Sequence, residues 1–398
     1  MEVIQGMRDC LPEQTGYDGS RIDVLQERLS ELTERKMIHG ASYCISHKGK
    51  IIAYGSVGNG DATDDSVAMQ PDTVFGVASI TKVFTATAVM QLVEDGRIRL
   101  DTPVGEILPP FAQAPFSEIT VLHLLTHTSG LYPDEGCFPE SMPLSSWELV
   151  DTAWDYHKKC GKTMEDFDWV RAGISGGLRV PVGSQWQYNS FGFCLLGEIV
   201  SRVSGMFVHD YIEKKILRPL QMKDSTFTVT PELAKRHFIR DTENKEYLSQ
   251  LAEGVLQQEE NIWDRIPSTG GGLHATVYDL VRFGNAFVEN GRLDRRRILG
   301  RKSVEKMATV QLHGVPDYCW GAKEENRLYG IGFDMRQGPA YMYSEGTIMH
   351  EGAGACSLNI DRKEQLVAAW FVPFHIIEGG WSAEPLYNIQ NIIWSGLV

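Results

Sequence analysis

Ser79 and Lys82, three residues apart, are the pair of side chains in this sequence best suited to chemistry. They begin the stretch "SITKVFTATAVMQLVEDG", in which apolar residues recur at helical spacing until Gly96. Because residues three apart share a helix face, the Lys82 ammonium can reach the Ser79 hydroxyl. The helix dipole stabilises a developing alkoxide, and burial lowers the pKa of a lysine from about 10.4, which frees the amine to act as a base. The pair therefore predicts a serine nucleophile activated by a lysine.

The same pair has a structural interpretation, in which a serine caps a helix and a solvent-facing lysine follows. Two further motifs favour catalysis. Tyr188 lies in "PVGSQWQYNSFG", just before a second amphipathic helix, where its phenol could exchange protons with a serine. His350 begins "HEGAGA" at the end of a strand-like run, and small residues there let backbone N–H groups approach an oxyanion. Each motif alone also fits a structural residue, so the prediction depends on their combination.

Together the three motifs resemble the signature of the serine β-lactamase and penicillin-binding-protein superfamily, which is S-x-x-K, a Tyr or Ser loop motif and a K/H-T-G-like strand. Two more stretches resemble its class C-like branch, "VLHLLTHTSGL" at 121–131 and "STGGGLHATVYDLVRFGNAF" at 268–287. The resemblance covers roughly residues 20–375 in matching order and spacing. It is nearest to the family VIII carboxylesterases.

The resemblance implies a role for each of these residues. Ser79 would be the acylated nucleophile and Lys82 its base, while Tyr188 would relay protons to the leaving group and activate the deacylating water. The backbone N–H groups of Ser79 and Ala353 would form the oxyanion hole. His350 would take the place of the motif's cationic residue and orient Tyr188 or a substrate carboxylate. The expected reaction is formation and hydrolysis of an acyl-enzyme.

Two positions depart from the family's pattern. Many relatives read Tyr-x-Asn, whose amide binds the acylamino side chain of the substrate, but Ser190 stands at that place here. Glu351 replaces the hydroxyl residue of Lys-Thr-Gly, which would put a carboxylate near a substrate's own carboxylate, a repulsion on the order of 1 kcal/mol or more. Both departures favour a substrate without a carboxylate. The residues expected to contact the substrate are Trp186, Asn189, Ser190, His350, Glu351 and Gly352.

The leading hypothesis is therefore an esterase-like serine hydrolase that acts on a small-molecule carboxylic ester, or on an amide, without a metal or cofactor. Three alternatives stay open. One is a β-lactamase or penicillin-sensitive D-amino-acid peptidase, and another is an acyltransferase that uses the same acyl-enzyme with an alcohol or amine acceptor. The third is a binding module that has lost catalysis. The oligomeric state is left open.

Two rival motifs carry less weight. "GISGG" at 173–177 matches the nucleophile elbow of α/β-hydrolases around Ser175, but the elbow needs a buried strand before it and a helix after it. His123 and His127 have the spacing of helical zinc ligands, yet no glutamate follows His123 as in HExxH and no third ligand is evident. We therefore expect no metal site and no role for Ser175 as the nucleophile.

The hydrophobic period changes along the chain in a way that predicts an α+β fold. A helical pattern over residues 21–37 precedes two strand-like runs, "SYCISH" and "IIAYG", and the pattern after residue 76 is mostly helical. Strand-like runs return as "YGIGFDM", "GTIMHEG", "CSLNID" and "QLVAAWFV", followed by a closing helix.

Isolated hairpins bury too little apolar surface, so we predict one antiparallel sheet built from both termini and flanked by helices, as in the β-lactamase/transpeptidase-like fold. Residues 20–75 and 288–398 would form the sheet domain, residues 76–287 an inserted, mostly helical domain, and the cleft between them the active site.

Composition excludes several classes of protein. The chain has 398 residues, of which 42% are hydrophobic and 23% charged, and its net charge of −14 disfavours nucleic acid or an anionic membrane as a partner. Its 7 cysteines are scattered without a CxxC pair, which indicates reduced thiols. The N-terminus lacks the apolar run of an export signal, and no run approaches the roughly 20 residues that span a membrane. We therefore predict a cytoplasmic enzyme.

Overall fold

A six-stranded antiparallel sheet forms the centre of the fold. The computed structural model describes residues 2–138, 145–256, 262–374 and 384–398. Strands from both ends of the chain meet in the sheet, because β10 pairs with β2 on one side and with β9 on the other, in the order β1-β3-β2-β10-β9-β8. The strands are β1 (Val3–Gln5), β2 (Gly40–His47), β3 (Lys50–Gly58), β4 (Phe75–Gly76), β5 (His274–Ala275), β6 (Arg292–Leu293), β7 (Arg296–Arg297), β8 (Ile348–Gly352), β9 (Cys356–Asp361) and β10 (Leu366–Phe371).

Helices cover both faces of this sheet. They are α1 (Ser20–Glu34), α2 (Thr81–Glu94), α3 (Val121–Leu125), α4 (Ser146–Lys159), α5 (Trp169–Gly173), α6 (Ser190–Ser204), α7 (Val208–Ile212), α8 (Pro231–Ala234), α9 (Thr242–Glu253), α10 (Val277–Val288), α11 (Arg301–Met307) and α12 (Glu384–Trp394), with a π-helical turn at Glu213–Leu217. The helices α1 and α12 pack on one face, and α10 packs on the other.

Alternation along β10 explains why this strand is buried on both sides. Leu366, Ala368 and Trp370 belong to the core shared with α1 and α12, whereas Val367 and Ala369 belong to the core shared with the helical region. Successive side chains of a strand point to opposite faces, so a central strand between two helical layers is apolar throughout. The antiparallel sheet from both termini and the α+β fold class are confirmed.

One predicted strand is absent. The run "YGIGFDM" forms only isolated bridges, Tyr329 to Asp334 and Asp334 to Met349. Its two glycines cause the difference, because Gly330 donates its N–H to the Phe333 carbonyl at 2.8 Å and Gly332 has φ 73°. A tight turn of this kind returns the chain on itself and interrupts the extended backbone that the alternating residues indicate.

The helical region and the sheet meet at α10. Gly284 on this helix lies so close to β10 that a Cβ there would be 2.4 Å from the Val367 side chain. Helix α10, which the predicted boundary after residue 287 groups with the helical domain, packs against β2, β9 and β10. One continuous apolar core extends from the sheet through α10 to α2. The start of α2, where the candidate active site lies, is therefore packed against both the sheet and the helical region.

No single helix in the described residues is long and apolar enough to cross a membrane. The consecutive helical segments Ser190–Ser204 and Val208–Leu217 reach that length and hydropathy only when taken together, and they are bent by 78°.

Candidate active site

Ser79 lies in a 3-10 turn, residues 78–80, that leads directly into α2. Ala78 has φ 45°, a left-handed conformation that a residue with a side chain rarely adopts, and the turn thereby leaves the Ser79 side chain partly accessible. The Val77 N–H donates to the Leu273 carbonyl at 2.9 Å, and this bond attaches the turn to the glycine-rich segment 268–273. Ser79 is therefore a partly accessible hydroxyl held on a constrained backbone at the start of a buried helix.

The Lys82 ammonium is fully buried and hydrogen bonded to three acceptors. Its Nζ lies 3.1 Å from Ser79 Oγ, 2.9 Å from Ser190 Oγ and 2.7 Å from the Gly270 carbonyl oxygen. Burial lowers the pKa of Lys82 to about 8, although the charge of Asp134 acts in the opposite direction. The neutral amine is thus available near neutral pH, within hydrogen-bonding distance of the hydroxyl it would deprotonate.

Ser190 connects Lys82 to a carboxylate that the sequence analysis did not single out. Its Oγ donates to Asp134 Oδ2 at 2.5 Å and its backbone N–H donates to Oδ1 at 2.7 Å. The loss of solvent around Asp134 raises its pKa, while the Lys82 charge and the hydrogen bonds from Ser190 oppose this. Asp134, Ser190, Lys82 and Ser79 therefore form one continuous chain of hydrogen bonds.

The Tyr188 ring stands beside this chain. Lys82 Nζ lies 4.6 Å from its centroid, and the His127 ring lies 4.6 Å from it on a tilted plane. Burial raises the pKa of Tyr188 well above 10, whereas its hydrogen bond with Ser79 lowers it. The phenol is consequently protonated, which makes it a proton donor and relay rather than a base.

The C-terminal end of β8 approaches the Ser79 turn from the sheet side. A Cβ on Gly352 would be only 2.3 Å from the Val77 carbonyl oxygen, and the Cys356 thiol donates to the same oxygen at 3.4 Å. Only a glycine permits this approach, which holds the end of β8 against the segment that leads into the 78–80 turn. The oxyanion hole formed by the backbone N–H groups of Ser79 and Ala353 stays a prediction.

His350 is buried in β8 and carries no charge at neutral pH. Burial and then the Lys82 charge lower its pKa to about 3, although its Nδ1 lies 2.7 Å from the Glu351 carbonyl oxygen. A neutral imidazole does not bring the positive charge that a lysine would bring to this position of the motif. Its role in orienting Tyr188 or a substrate carboxylate stays a prediction.

Glu351 does not present an uncompensated carboxylate, in contrast to the expectation from the sequence. Its Oε2 accepts a hydrogen bond from Arg336 Nη2 at 2.7 Å, and Arg336 Nε also pairs with Asp334 at 2.9 Å. Side chains alternate along β8, so Glu351 points to the same face as Met349, which lies in the core shared with α1 and α12. The Glu351 charge is thus paired with Arg336 on the opposite face of β8 from His350, and its effect on a substrate stays a prediction.

Asn189 and Trp186, both predicted to contact the substrate, have partners within the protein. The Asn189 side chain caps α6, accepting from the Gly192 N–H at 2.5 Å and donating to the Tyr132 carbonyl at 2.6 Å, so both ends of its amide are used. Trp186 is only 3% exposed and packs between Tyr188 and the Arg327 guanidinium, which lies 4.4 Å from the Trp186 ring.

Several residues that approach the site were missed. They are Asp134, His127, Gly270 and Trp320, the last with its ring 5.3 Å from that of Tyr188. The triple glycine at 270–272 and the "HTSG" stretch were available as signals, since conformationally free glycines often mark a close backbone approach. Nothing local distinguishes Asp134 or Trp320 from a surface loop residue.

The rival motifs have ordinary structural explanations. Ser175 follows helix α5 instead of a strand, and its hydroxyl donates to the Ala172 carbonyl at 2.7 Å. His123 accepts from the Thr120 N–H, and His127 accepts from the Asn189 N–H at 3.0 Å. Within the described ranges, no three His, Cys, Asp or Glu side chains are grouped as metal ligands would be.

Comparison with known proteins shows the family and the fold of the chain. A family model described as Beta-lactamase matches residues 25–372. Penicillin-binding protein 4 of Amycolatopsis lactamdurans is 28% identical over 338 residues, 80% of each chain, and Esterase EstB of Burkholderia gladioli is 32% identical over 219 residues, 52% of this chain and 51% of EstB. A crystal structure of a family VIII carboxylesterase superposes with a TM-score of 0.72 at 18% identity, covering 100% of both chains. The family model spans most of the sequence, and the chain therefore belongs to the beta-lactamase family.

Proposed function

We propose that this protein is a serine hydrolase that cleaves carboxylic esters of small molecules through an acyl-enzyme on Ser79. The observation that carries the proposal is the buried Lys82 amine, 3.1 Å from Ser79 Oγ and with a pKa lowered to about 8. A serine hydroxyl is a weak nucleophile until a neighbouring base accepts its proton. The three acceptors around Lys82 hold the amine in place, so little reorganisation is needed when the proton moves.

Acylation begins when the neutral Lys82 amine takes the proton from Ser79 Oγ as the oxygen attacks the ester carbonyl. The oxyanion of the tetrahedral intermediate then accepts hydrogen bonds from the backbone N–H groups of Ser79 and Ala353. Because the raised pKa of Tyr188 keeps its phenol protonated, Lys82 is the base and Tyr188 is not.

Collapse of the intermediate expels the alkoxide of the substrate. Tyr188 donates its proton to that oxygen and recovers a proton from the Lys82 ammonium, so the amine is neutral again in the acyl-enzyme. Water then attacks the acyl carbon by the reverse sequence. Tyr188 passes its proton to the neutral Lys82 amine as it takes one from the water, and the Lys82 ammonium then protonates the departing Ser79 oxygen. Asp134 stabilises the transient ammonium through Ser190, whose hydroxyl bonds to both groups.

The surroundings of Ser79 favour an ester without a charged acyl group. Ser190 stands where many relatives have an asparagine whose amide binds an acylamino side chain. Its Oγ is already hydrogen bonded to Lys82 and Asp134, so it does not replace that amide. His350 is neutral and Arg336 is bound by two carboxylates, which leaves a substrate carboxylate poorly recognised from the sheet side. The similarity to Esterase EstB supports an ester as substrate, and we propose a cytoplasmic location.

The test compares p-nitrophenyl butyrate with a chromogenic cephalosporin on the purified full-length chain. We expect turnover of the ester, a butyryl adduct on the peptide that contains Ser79, and loss of both in Ser79→Ala. The matched control is Ser175→Ala, which removes the serine of the rival motif and should leave turnover unchanged. Turnover of the cephalosporin without the ester would replace this proposal with the β-lactamase or peptidase alternative that Penicillin-binding protein 4 represents.

Two further outcomes separate the remaining alternatives. Faster release of the butyryl group with an added alcohol, together with formation of the new ester, would identify an acyltransferase. A folded protein that gives no adduct at Ser79 with any ester or with a fluorophosphonate would identify a binding module and overturn the proposal.

A further inference from the structure

Trp320 is a large apolar side chain exposed beside a catalytic ring. It is 58% exposed, and its ring centroid lies 5.3 Å from that of Tyr188 at an interplanar angle of 55°. Exposure alternates along the residues that precede it, since Asp317 is 4%, Tyr318 is 44% and Cys319 is 2% exposed. The indole therefore projects from this turn toward solvent, with its ring beside that of Tyr188.

The turn that carries Trp320 is held in place. The Trp320 N–H donates to the Cys137 carbonyl at 2.9 Å, and the Cys319 N–H donates to Asp317 Oδ1 at 2.8 Å. Trp320 has φ 54° and ψ 31°, a left-handed conformation that is strained for an aromatic residue. A strained and anchored backbone that exposes an indole costs stability, and such strain is typical of positions that contact ligands.

We infer that Trp320, together with the ring of Tyr188, forms the subsite for the alcohol portion of the ester, and that this subsite selects flat, aromatic leaving groups. The inference rests on the proposed function. Tyr188 protonates the leaving oxygen, so the group attached to that oxygen must lie against Tyr188 while the acyl carbon is at Ser79. Trp320 is the exposed ring adjacent to that position, and tilted aromatic rings attract an aryl group at this separation.

The subsite predicts that the leaving group of the ester affects the rate of acylation and does not affect the rate of deacylation. Phenyl acetate and 2,2,2-trifluoroethyl acetate give the same acetyl-enzyme, so they differ only until the alcohol has left. We expect Trp320→Ala to lower kcat/KM for phenyl acetate roughly tenfold and to change the value for trifluoroethyl acetate by less than about twofold. The decay of the acetyl-enzyme, followed by mass spectrometry of the intact protein, should stay at the rate of the parent.

Two variants keep this test decisive. Trp320→Phe retains an aromatic ring and should restore most of the preference for phenyl acetate, whereas Tyr247→Ala removes an exposed aromatic ring on α9 and should change neither ester. Equal losses on both esters, or no loss on either, would overturn the subsite while the acetyl-enzyme on Ser79 still supported the proposed function. Absence of any acetyl adduct on Ser79 would overturn the proposed function and the subsite with it.

Discussion

The two sides of the candidate active site contribute different kinds of groups. The helical side consists of Lys82, Ser190, Asp134 and Tyr188, whose side chains form a connected polar chain with two strongly shifted pKa values. The sheet side consists of residues 350–353, where the imidazole is neutral and the carboxylate is paired with an arginine. Its contribution is the position of a backbone segment next to Ser79.

This difference indicates which substitutions in the site should change the activity. Proton transfer depends on side-chain atoms with tuned pKa values, and removal of one such atom removes a step. An oxyanion hole depends on backbone geometry, so it tolerates changes of side chain but not a displacement of the chain. Substitutions on the helical side should therefore alter chemistry, and those on the sheet side should matter only when they move β8.

Among variants that keep the nucleophile, Tyr188→Phe should produce the largest loss, because it removes the hydroxyl that protonates the leaving group while keeping the ring. We expect kcat/KM for an alkyl ester to fall roughly 10²- to 10⁴-fold. The measurement is steady-state hydrolysis, with a thermal unfolding curve that matches that of the parent.

The matched control is Tyr329→Phe in the same aromatic cluster. The Tyr329 hydroxyl is buried and finds no hydrogen-bond partner among the described residues, so its removal should leave activity within about twofold of the parent. Similar losses in the two variants would contradict a specific role for the Tyr188 hydroxyl.

Gly352→Ala tests whether the sheet side acts through its backbone. The added Cβ would meet the Val77 carbonyl oxygen at 2.3 Å and Cys356 Sγ at 2.5 Å, so β8 must move away from the Ser79 turn. A displacement of about 1 Å is expected to lower kcat roughly 10²-fold.

Gly338→Ala provides the control, since a Cβ there makes only an ordinary contact, 3.9 Å from the Tyr341 ring. Unchanged kcat in Gly352→Ala, in a variant that is shown to be folded, would mean that the end of β8 does not form the oxyanion hole.

Asp134→Asn should change the pH dependence more than the maximum rate. Lys82 has a pKa of about 8, so kcat/KM of the parent should rise as pH increases through this value and the ammonium loses its proton. The negative charge of Asp134 raises that pKa, and its removal should shift the rising limb to lower pH.

The exposed Asp155, which pairs with Lys158 on α4, gives a control of the same substitution, Asp155→Asn, with no shift expected. A rising limb that moves to higher pH, or that stays in place while the rate falls, would show that Asp134 does not act on Lys82 through its charge.

Glu351→Gln should have the smallest effect on catalysis. Its carboxylate is paired with Arg336 on the face away from His350, so we expect less than about a threefold change in kcat/KM and a loss of about 1 kcal/mol in the free energy of unfolding. Chemical denaturation measures the second quantity. A large gain in hydrolysis of a hemisuccinate ester would instead show that Glu351 faces the substrate.

Local features of the sequence were enough to predict the nucleophile pair and most strands. Three-residue spacing alone puts the Ser79 and Lys82 side chains within reach of each other, and short apolar runs bounded by turn residues mark β2, β3, β8, β9 and β10. Both signals come from residues near one another in the chain, whose geometry is fixed by backbone periodicity. The resemblance to the β-lactamase superfamily added the order of the motifs, and the family model confirmed it.

The remaining features of the site depend on contacts between residues that are distant in the sequence. Asp134 reaches Lys82 only through Ser190, 56 residues away, and the charge of Glu351 is cancelled by Arg336, 15 residues away. Whether a polar side chain faces a substrate, caps a helix or pairs with an opposite charge depends on which partner the fold brings to it. The sequence by itself determined which residues could react, through short-range spacing and side-chain chemistry. Only the tertiary structure determined their burial, charge and partners, because desolvation and ion pairing arise from segments that the linear order keeps apart.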